Sequence, residues 1–290
     1  MANVTTTTAA NFIPELWKEA ILDYAERKFQ LKNQVTDLSS LLSGGGDTLH
    51  IPRVDEETAA AKSADTAVTY GANTDGKTDL SIDQHFYEAK RIEDIVRVQE
   101  SADLFGMYAK SMGYALAKKV ENYLAVDIIQ SATANDVNLS TDNQLTAGEL
   151  RSGIQKLVDI GVDYTDGDTF LYCSPASYMY LLGLDQFVRF DSIGNSQVPG
   201  NFSGALGQVY GMPVFPSVDW GDTGAGGEET ASIFTRSSVM FAMQIEPRVQ
   251  AQYDIDHLAT SVVADVLFGA VLTQSAGDSA GQIVNFNNAV

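Results

Sequence analysis

The chain has 290 residues, 44% of them hydrophobic, enough for a sizeable core in one large domain or two joined ones. Lys and Arg number 18 against 38 Asp and Glu; the formal net charge of −20 argues against a nucleic-acid binder, because phosphate contacts need a cationic surface. No apolar run reaches the roughly eighteen residues of a spanning helix, residues 1–10 lack the basic and apolar regions of a signal peptide, and Cys173, the single cysteine, excludes intrachain disulfides and CxxC metal sites, so the chain reads as cytosolic.

Residues 1–11 include four consecutive threonines and read as extended or disordered. Pro14 opens a short helix pattern in which Leu16, Trp17, Ala20, Ile21 and Tyr24 share a face. A second short element, Phe29 to Leu42, stops at Ser43-Gly44-Gly45-Gly46. Thr48–Val54 alternates as a strand, and the small polar run 55–67 offers few anchors for a core. A further strand is expected at 67–70, then turn chemistry over Gly71–Gly76. From Lys77, the apolar positions Leu80, Ile82 and Phe86 alternate with Asp79, Ser81, Asp83 and His85, and Ala89–Gln99 continues as a half-buried strand.

Ser101 is the expected N-cap of a long helix with Asp103 in its first turn. Phe105, Tyr108, Met112, Leu116, Val120, Leu124 and Ile128 recur at helical steps to about Ala132, giving a rod roughly 45 Å long. The second half mixes helices and strands. Thr146-Ala147-Gly148-Glu149 is a capping box for a helix to Ile160, stopped by Gly161. Thr169–Cys173 reads as a short apolar strand, and Ser174-Pro175 caps a helix ended by Gly183. Long loops are expected over 191–211 and 221–229, with a strand at 211–216. Strand patterns follow at 233–235, 239–245 and 249–255, and 261–272 is a near-continuous apolar run that fits a buried strand. The tail from Ser275 turns polar.

The chemistry-bearing residues assemble no catalytic set. Gly71-Ala72-Asn73-Thr74-Asp75-Gly76-Lys77-Thr78 matches the P-loop pattern, in which Lys77 would reach phosphate oxygens and Thr78 would hold Mg²⁺. A P-loop needs a buried strand before it and a helix after it. Here a strand pattern follows, and Asp75 places a carboxylate where phosphate must sit, so a hairpin turn is the better reading. His50, His85 and His257 are the only histidines, and His50 and His85 fall in expected arm strands with no Ser or Cys elbow nearby. Cys173 reads as a small buried hydrophobe. Asp163, Asp166 and Asp168 lack the spacing of a Ca²⁺ loop and read as a solvated turn. No catalytic, cofactor-binding or metal-binding residue is assigned.

The order of the pieces carries a resemblance. A short N-terminal segment leads to a long polar hairpin, then to Glu88-Ala89-Lys90-Arg91-Ile92 and, from Glu100-Ser101-Ala102-Asp103, to the long helix. The helix–strand–Ser-Pro–helix unit Thr146–Gly183, the strand Gly207-Gln208-Val209-Tyr210-Gly211-Met212-Pro213-Val214 and Tyr253-Asp254-Ile255-Asp256-His257 follow. This order resembles the major capsid proteins of tailed bacteriophages with the HK97 fold, over about residues 12–275. The resemblance implies an α+β fold in four parts. These are an N-terminal arm (1–46), an extended E-loop hairpin (47–90), a peripheral P-domain with its spine helix (91–145) and strands (232–260), and an axial A-domain (146–231) completed by 261–290 with the C-terminal tail.

It further implies a homo-oligomer, built through hexamers and pentamers into an icosahedral shell that encloses double-stranded DNA without sequence-specific binding. The chain would be a component of the virion, assembled in the host cytoplasm, with no membrane partner and no enzymatic activity. Scaffolding, if used, would be a separate protein; portal and decoration proteins are the other expected partners. Two alternatives stay open at this point. One is an encapsulin-type compartment shell, which shares the fold. The other is a nucleotide hydrolase using Gly71–Thr78.

Overall fold

A computed structural model describes residues 31–42, 46–54, 59–68, 70, 75–94, 104–133, 135–141, 144–184, 207–220, 229–273 and 282–288. The helix expected at Pro14, the N-cap Ser101, residues 71–74, and the loops over 191–206 and 221–228 lie outside them.

The described chain opens with two 3₁₀ turns, Leu31–Gln34 and Ser39–Leu42, flanking a two-residue strand β1 (Thr36–Asp37). Strands β2 (Thr48–Val54) and β3 (Asp75–Ser81) form an antiparallel hairpin, the arm. β4 (Gln84–Glu93) follows, then the long helix α1 (Leu104–Asn122), which runs on through a π-helical segment, Tyr123–Ile129. Next come β5 (Val137–Asn138), α2 (Ala147–Asp159), β6 (Thr169–Cys173), α3 (Pro175–Gly183), β7 (Gln208–Val209) and β8 (Met212–Pro216). The chain ends with β9 (Glu229–Thr235), β10 (Val239–Asp254), β11 (Ala259–Leu272) and β12 (Ile283–Asn287).

Two sheets share a core around α1. The four-stranded sheet has the order β1-β10-β11-β4, and the six-stranded sheet β5-β12-β9-β6-β8-β7. Met112, Leu116, Val120, Leu124 and Ile128 form the buried stripe of α1 and its extension. They meet Val262, Ala264, Val266 and Phe268 from one face of β11, and Phe170, Tyr172 and Phe234 from one face of the six-stranded sheet. That sheet's other face (Leu171, Cys173, Ala231, Ile233, Val284, Phe286) packs on Leu150, Ile154 and Leu157 of α2 and Leu181 of α3.

Local chemistry explains where the second-half helices begin. Thr146 Oγ1 accepts the Glu149 N–H at 3.3 Å while Glu149 Oε2 accepts the Thr146 N–H at 2.9 Å, so the expected capping box is formed. Ser174 Oγ accepts the Ser177 N–H at 3.1 Å, with Pro175 at the first helical position.

The structure differs from the sequence reading at several places, among them the patterns at 239–245 and 249–255, which form the single strand β10. The single alternating run from Lys77 is two strands: it breaks at Ile82-Asp83, and β4 leaves the arm to pair with β11. Residues 67, 68 and 70 form no strand, and Tyr70 is 91% exposed; β propensity there finds no partner strand among the described residues. The strands also sort differently from the linear division. Residues 229–235 sit in the six-stranded sheet, whereas 84–93 and 259–272 sit in the four-stranded one. Finally, the polar tail contains β12, a buried strand between β5 and β9. Its Asn285 Nδ2 donates to the carbonyls of Ile129 (3.1 Å) and Ala132 (2.7 Å), closing the end of the long helix.

The arm is socketed on the outer face of β11. Leu80, Ile82, Leu42 and Ala242 form a small separate core, with Leu49, Ile51, Leu267 and Val271 packed on it. Gly269 makes that seat: a Cβ there would lie 2.0 Å from the Ser81 carbonyl oxygen and 3.1 Å from Ile82 Cα. These are backbone atoms, which cannot step aside as a side chain can. Gly269→Ala is therefore expected to lower stability by about 1–3 kcal/mol. A fall in the urea midpoint, with increased amide exchange over 78–82, checks this; an unchanged midpoint refutes the seat.

Candidate assembly surface

Two features stand out from the packed layers. One is the arm beyond its socket, where residues 59–68 and 70 are all exposed and carry Val68 and Tyr70. The other is the far end of the β10–β11 ribbon. There Val249, Tyr253, Ile255 and Leu258 are exposed around the turn 255–258, and Leu258 adopts φ +46°. Apolar side chains at the ends of projecting elements fit contact with another surface better than they fit water.

The three histidines lie on these same elements. Each pairs with an aspartate that also holds a cation. His50 Nδ1 meets Asp79 Oδ1 on the arm, and Lys77 Nζ lies 3.0 Å from the same carboxylate. His85 Nε2 lies 3.5 Å from Asp265, which accepts from Arg248 Nε and Nη2 at 2.8 and 3.0 Å. His257 Nδ1 lies 2.8 Å from Asp254, with Arg91 at 3.4 Å. The expectation that His85 belongs to the arm is corrected by its place on β4, within the four-stranded sheet. Hydrogen bonds from His50 and then Lys77 hold the Asp79 carboxyl below its ordinary range. The forked hydrogen bond from Arg248 does the same to Asp265.

The other sequence-flagged residues take structural places. Gly76, Lys77 and Thr78 lie inside β3, opposite Arg53, Pro52 and Ile51. Lys77 is committed to Asp79, and Thr78 Oγ1 donates to the Thr273 carbonyl at 3.2 Å. A P-loop lysine stands at the start of a helix, whereas Lys77 is mid-strand in a hairpin. Cys173 is fully buried in β6, and burial pushes its thiol up to about 12, which keeps it protonated and unreactive. Asp163 Oδ1 accepts the Thr165 N–H at 2.9 Å and Asp166 Oδ1 the Asp168 N–H at 2.9 Å, so these carboxylates close their own turns. Among the described residues no group of three or more His, Cys, Asp or Glu is placed to hold a metal ion.

Sequence reasoning missed two contacts that fix this geometry. Gly269 is one; a lone glycine in an apolar run signals a close backbone approach. The other is Glu121, whose carboxylate accepts the Leu31 and Lys32 N–H groups at 3.1 and 3.0 Å and ties the N-terminal segment to α1.

No family model matches the chain, and no curated protein matches it. Solved structures do. A chain from Mycobacterium phage Che8 superposes with TM-score 0.77 at 23% identity, covering 96% of this chain and 97% of that one. A chain of the capsid of the cyanophage P-SCSP1u gives 0.75 at 15% identity, covering 100% and 97%. One from the mature capsid of bacteriophage PhiM1 gives 0.70 at 12% identity, covering 89% and 86%. The chain has the HK97 capsid fold. Near-complete coverage in both directions means that the arm, long helix and both sheets belong to that fold.

The Arg248–Asp265 pair gives a direct test of the surface electrostatics. A carboxyl held below its unfolded value adds stability above the ordinary carboxylate range and loses it as pH falls through the lowered value. Arg248→Ala should return the Asp265 carboxyl upward to that range in an NMR titration. It should also move the acid end of the stability profile to higher pH. A titration curve unchanged by the substitution would show that the fork does not operate.

Proposed function

We propose that this chain is the major capsid protein of a tailed bacteriophage. It assembles through hexamers and pentamers into an icosahedral shell around double-stranded DNA. The observation that carries this is full-length agreement with capsid chains of phages, together with apolar side chains placed on projecting elements rather than around a cavity. The work of such a chain is self-association and needs no catalysis. Repetition by symmetry turns many modest contacts into collective stability. No observation favours the compartment-shell alternative.

In this reading the E-loop is the arm up to Ser81, and the P-domain is α1 with the four-stranded sheet. The A-domain is the six-stranded sheet with α2 and α3. The arm lies across a neighbouring copy. The −20 charge keeps DNA from binding the bulk surface, so the genome is confined rather than gripped.

Negative-stain microscopy tests the reading. The purified chain should give closed particles tens of nanometres across, the scale of a shell built from many symmetric copies. Replacing residues 55–74 with a short turn should leave a folded subunit that forms none. Normal particles from the shortened chain would remove the arm's role, and a protein that stays monomeric at every concentration would end the shell reading. Charge gives a second expectation. Assembly followed by light scattering should speed up as salt is raised from low ionic strength, because screening weakens repulsion between copies. A rate that falls with added salt contradicts it.

A further inference from the structure

Beside the buried strand β12 lies an ionisable group that the projecting elements do not use. Asp136 directly precedes β5, and Asn287 closes β12, the strand with which β5 pairs. Asn287 Nδ2 donates to Asp136 Oδ2 at 2.9 Å. The other two oxygens of this pair, Asp136 Oδ1 and Asn287 Oδ1, are buried and have no hydrogen-bond partner. Both are acceptors, so with Asp136 ionised neither can serve the other, and each keeps the cost of a buried polar atom left unpaired. One proton removes both losses. A carboxylic acid and a primary amide that share one N–H···O bond close a second, O–H···O, when the acid carries a proton on its remaining oxygen.

The surroundings favour the neutral form. The two strands bring no ionisable side chain, since Val137, Asn138 and every residue from Ile283 to Asn287 are uncharged. Burial is the largest influence on the Asp136 carboxyl and raises it above its ordinary range, while the Asn287 hydrogen bond and the charge of Lys156 pull the other way. Lys156 of α2 is the charged side chain that acts on it among the described residues. Its Nζ donates to backbone, to the carbonyls of Asp136 at 2.6 Å and Asn135 at 3.4 Å. Glu149 of the same helix is committed to the Ser140 and Thr146 N–H groups, at 2.6 and 2.9 Å.

We infer that Asp136 holds a proton in the folded chain and forms with Asn287 a two-bond acid–amide clamp that locks β12 to β5, and that loss of the proton opens it. More than a sheet edge hangs on this clamp. The Leu139 N–H donates to the Asn287 carbonyl at 2.8 Å, and Thr230 Oγ1 to the Phe286 carbonyl at 3.1 Å. Asn285, two residues before Asn287, holds the carbonyls of Ile129 and Ala132. β12 therefore joins the end of the long helix to the six-stranded sheet, and the proton sets how firmly. A carboxyl raised in the folded state gives its full stability below the ordinary carboxylate range and loses it as pH rises from that range through the raised value. The clamp acts within one chain, so it stands apart from the shell reading.

Amide exchange over 137–139 and 283–287 in the full chain, corrected for its intrinsic dependence on pH, reads the clamp. As pH climbs from the ordinary carboxylate range through the raised value, opening should become about tenfold more frequent for each pH unit by which the Asp136 carboxyl is raised. Asp136→Asn replaces the acid with an amide that can make the same two hydrogen bonds and has no proton to lose. Its exchange should match the acid-side protection of the unsubstituted chain and stay flat with pH. Asn287→Leu keeps the bulk and removes both bonds, so its acid-side protection should fall about tenfold, the equivalent of one pH unit of linkage. In the unsubstituted chain, a flat profile or protection that grows with pH overturns the clamp, because either means that ionised Asp136 is held at least as well as the neutral acid. An Asp136→Asn chain that keeps the original pH dependence overturns it too, as does an Asn287→Leu chain with full acid-side protection. Should either variant fail to fold, the profile of the unsubstituted chain still decides.

Discussion

A backbone carbonyl resting on a glycine decides where this molecule's arm points. Ser81 sits so close over Gly269 that only hydrogen fits between them. That contact brings Leu80 and Ile82 down onto Ala242, with Leu42 of the N-terminal segment closing the side. Burying one such aliphatic side chain contributes about 1.5–3 kcal/mol. Ordering one residue of backbone costs about 1–2 kcal/mol. The socket can therefore hold the hairpin's base, but it cannot hold the exposed chain beyond it. Among the described residues nothing packs on 59–68 and 70, which are all exposed.

The same economy governs charge. The chain carries twenty more acidic than basic side chains, and on the outer face of the four-stranded sheet two carboxylates are paired with cations. Arg248 holds Asp265 and Arg91 holds Asp254, two cations against two anions, with His85 and His257 beside them. Exposed pairs of this kind add little to stability, so they do not hold the fold. Their effect is to neutralise two of the carboxylates on an acidic molecule.

The sequence made plain what depends on one local period or one cap. The i, i+4 spacing Met112–Leu116–Val120–Leu124 could only be a buried helical stripe, and Thr146 with Glu149 could only open a helix. What depends on a partner distant in sequence was hidden. The alternation from Leu80 to Phe86 continues through Ile82-Asp83 without a signal, because the break is set by Gly269, nearly two hundred residues on. β12 was masked by Asn285 and Asn287, polar letters in a strand that needs Asn285 to satisfy carbonyls at the end of the long helix. The run 261–272 looks apolar throughout because its second face is covered too, though only at the end under the arm: Leu267 and Val271 pack there, while Val263 stays 38% exposed. Candidate chemistry behaved the same way. Gly71–Thr78 matches a motif letter by letter, and only its strand context separates Lys77 from a phosphate ligand.

The distribution of sheet edges ties these points together. A strand edge left open is an aggregation hazard, and proteins close it with short strands, charge or a covering element. Here the six-stranded sheet is closed by strands of two residues at each side, whereas among the described residues no strand pairs with the outer side of β4 or of β10 beyond Arg248. A monomeric protein with a net charge of −20 would have little reason to guard one sheet and leave its neighbour open. Under the shell proposal that difference has a reason: the guarded sheet folds on itself, and the other meets copies. Bulk charge slows indiscriminate pairing at those edges. Under the shell proposal, repulsion between copies opposes indiscriminate pairing, and contacts repeated by symmetry then favour an ordered shell over a disordered aggregate.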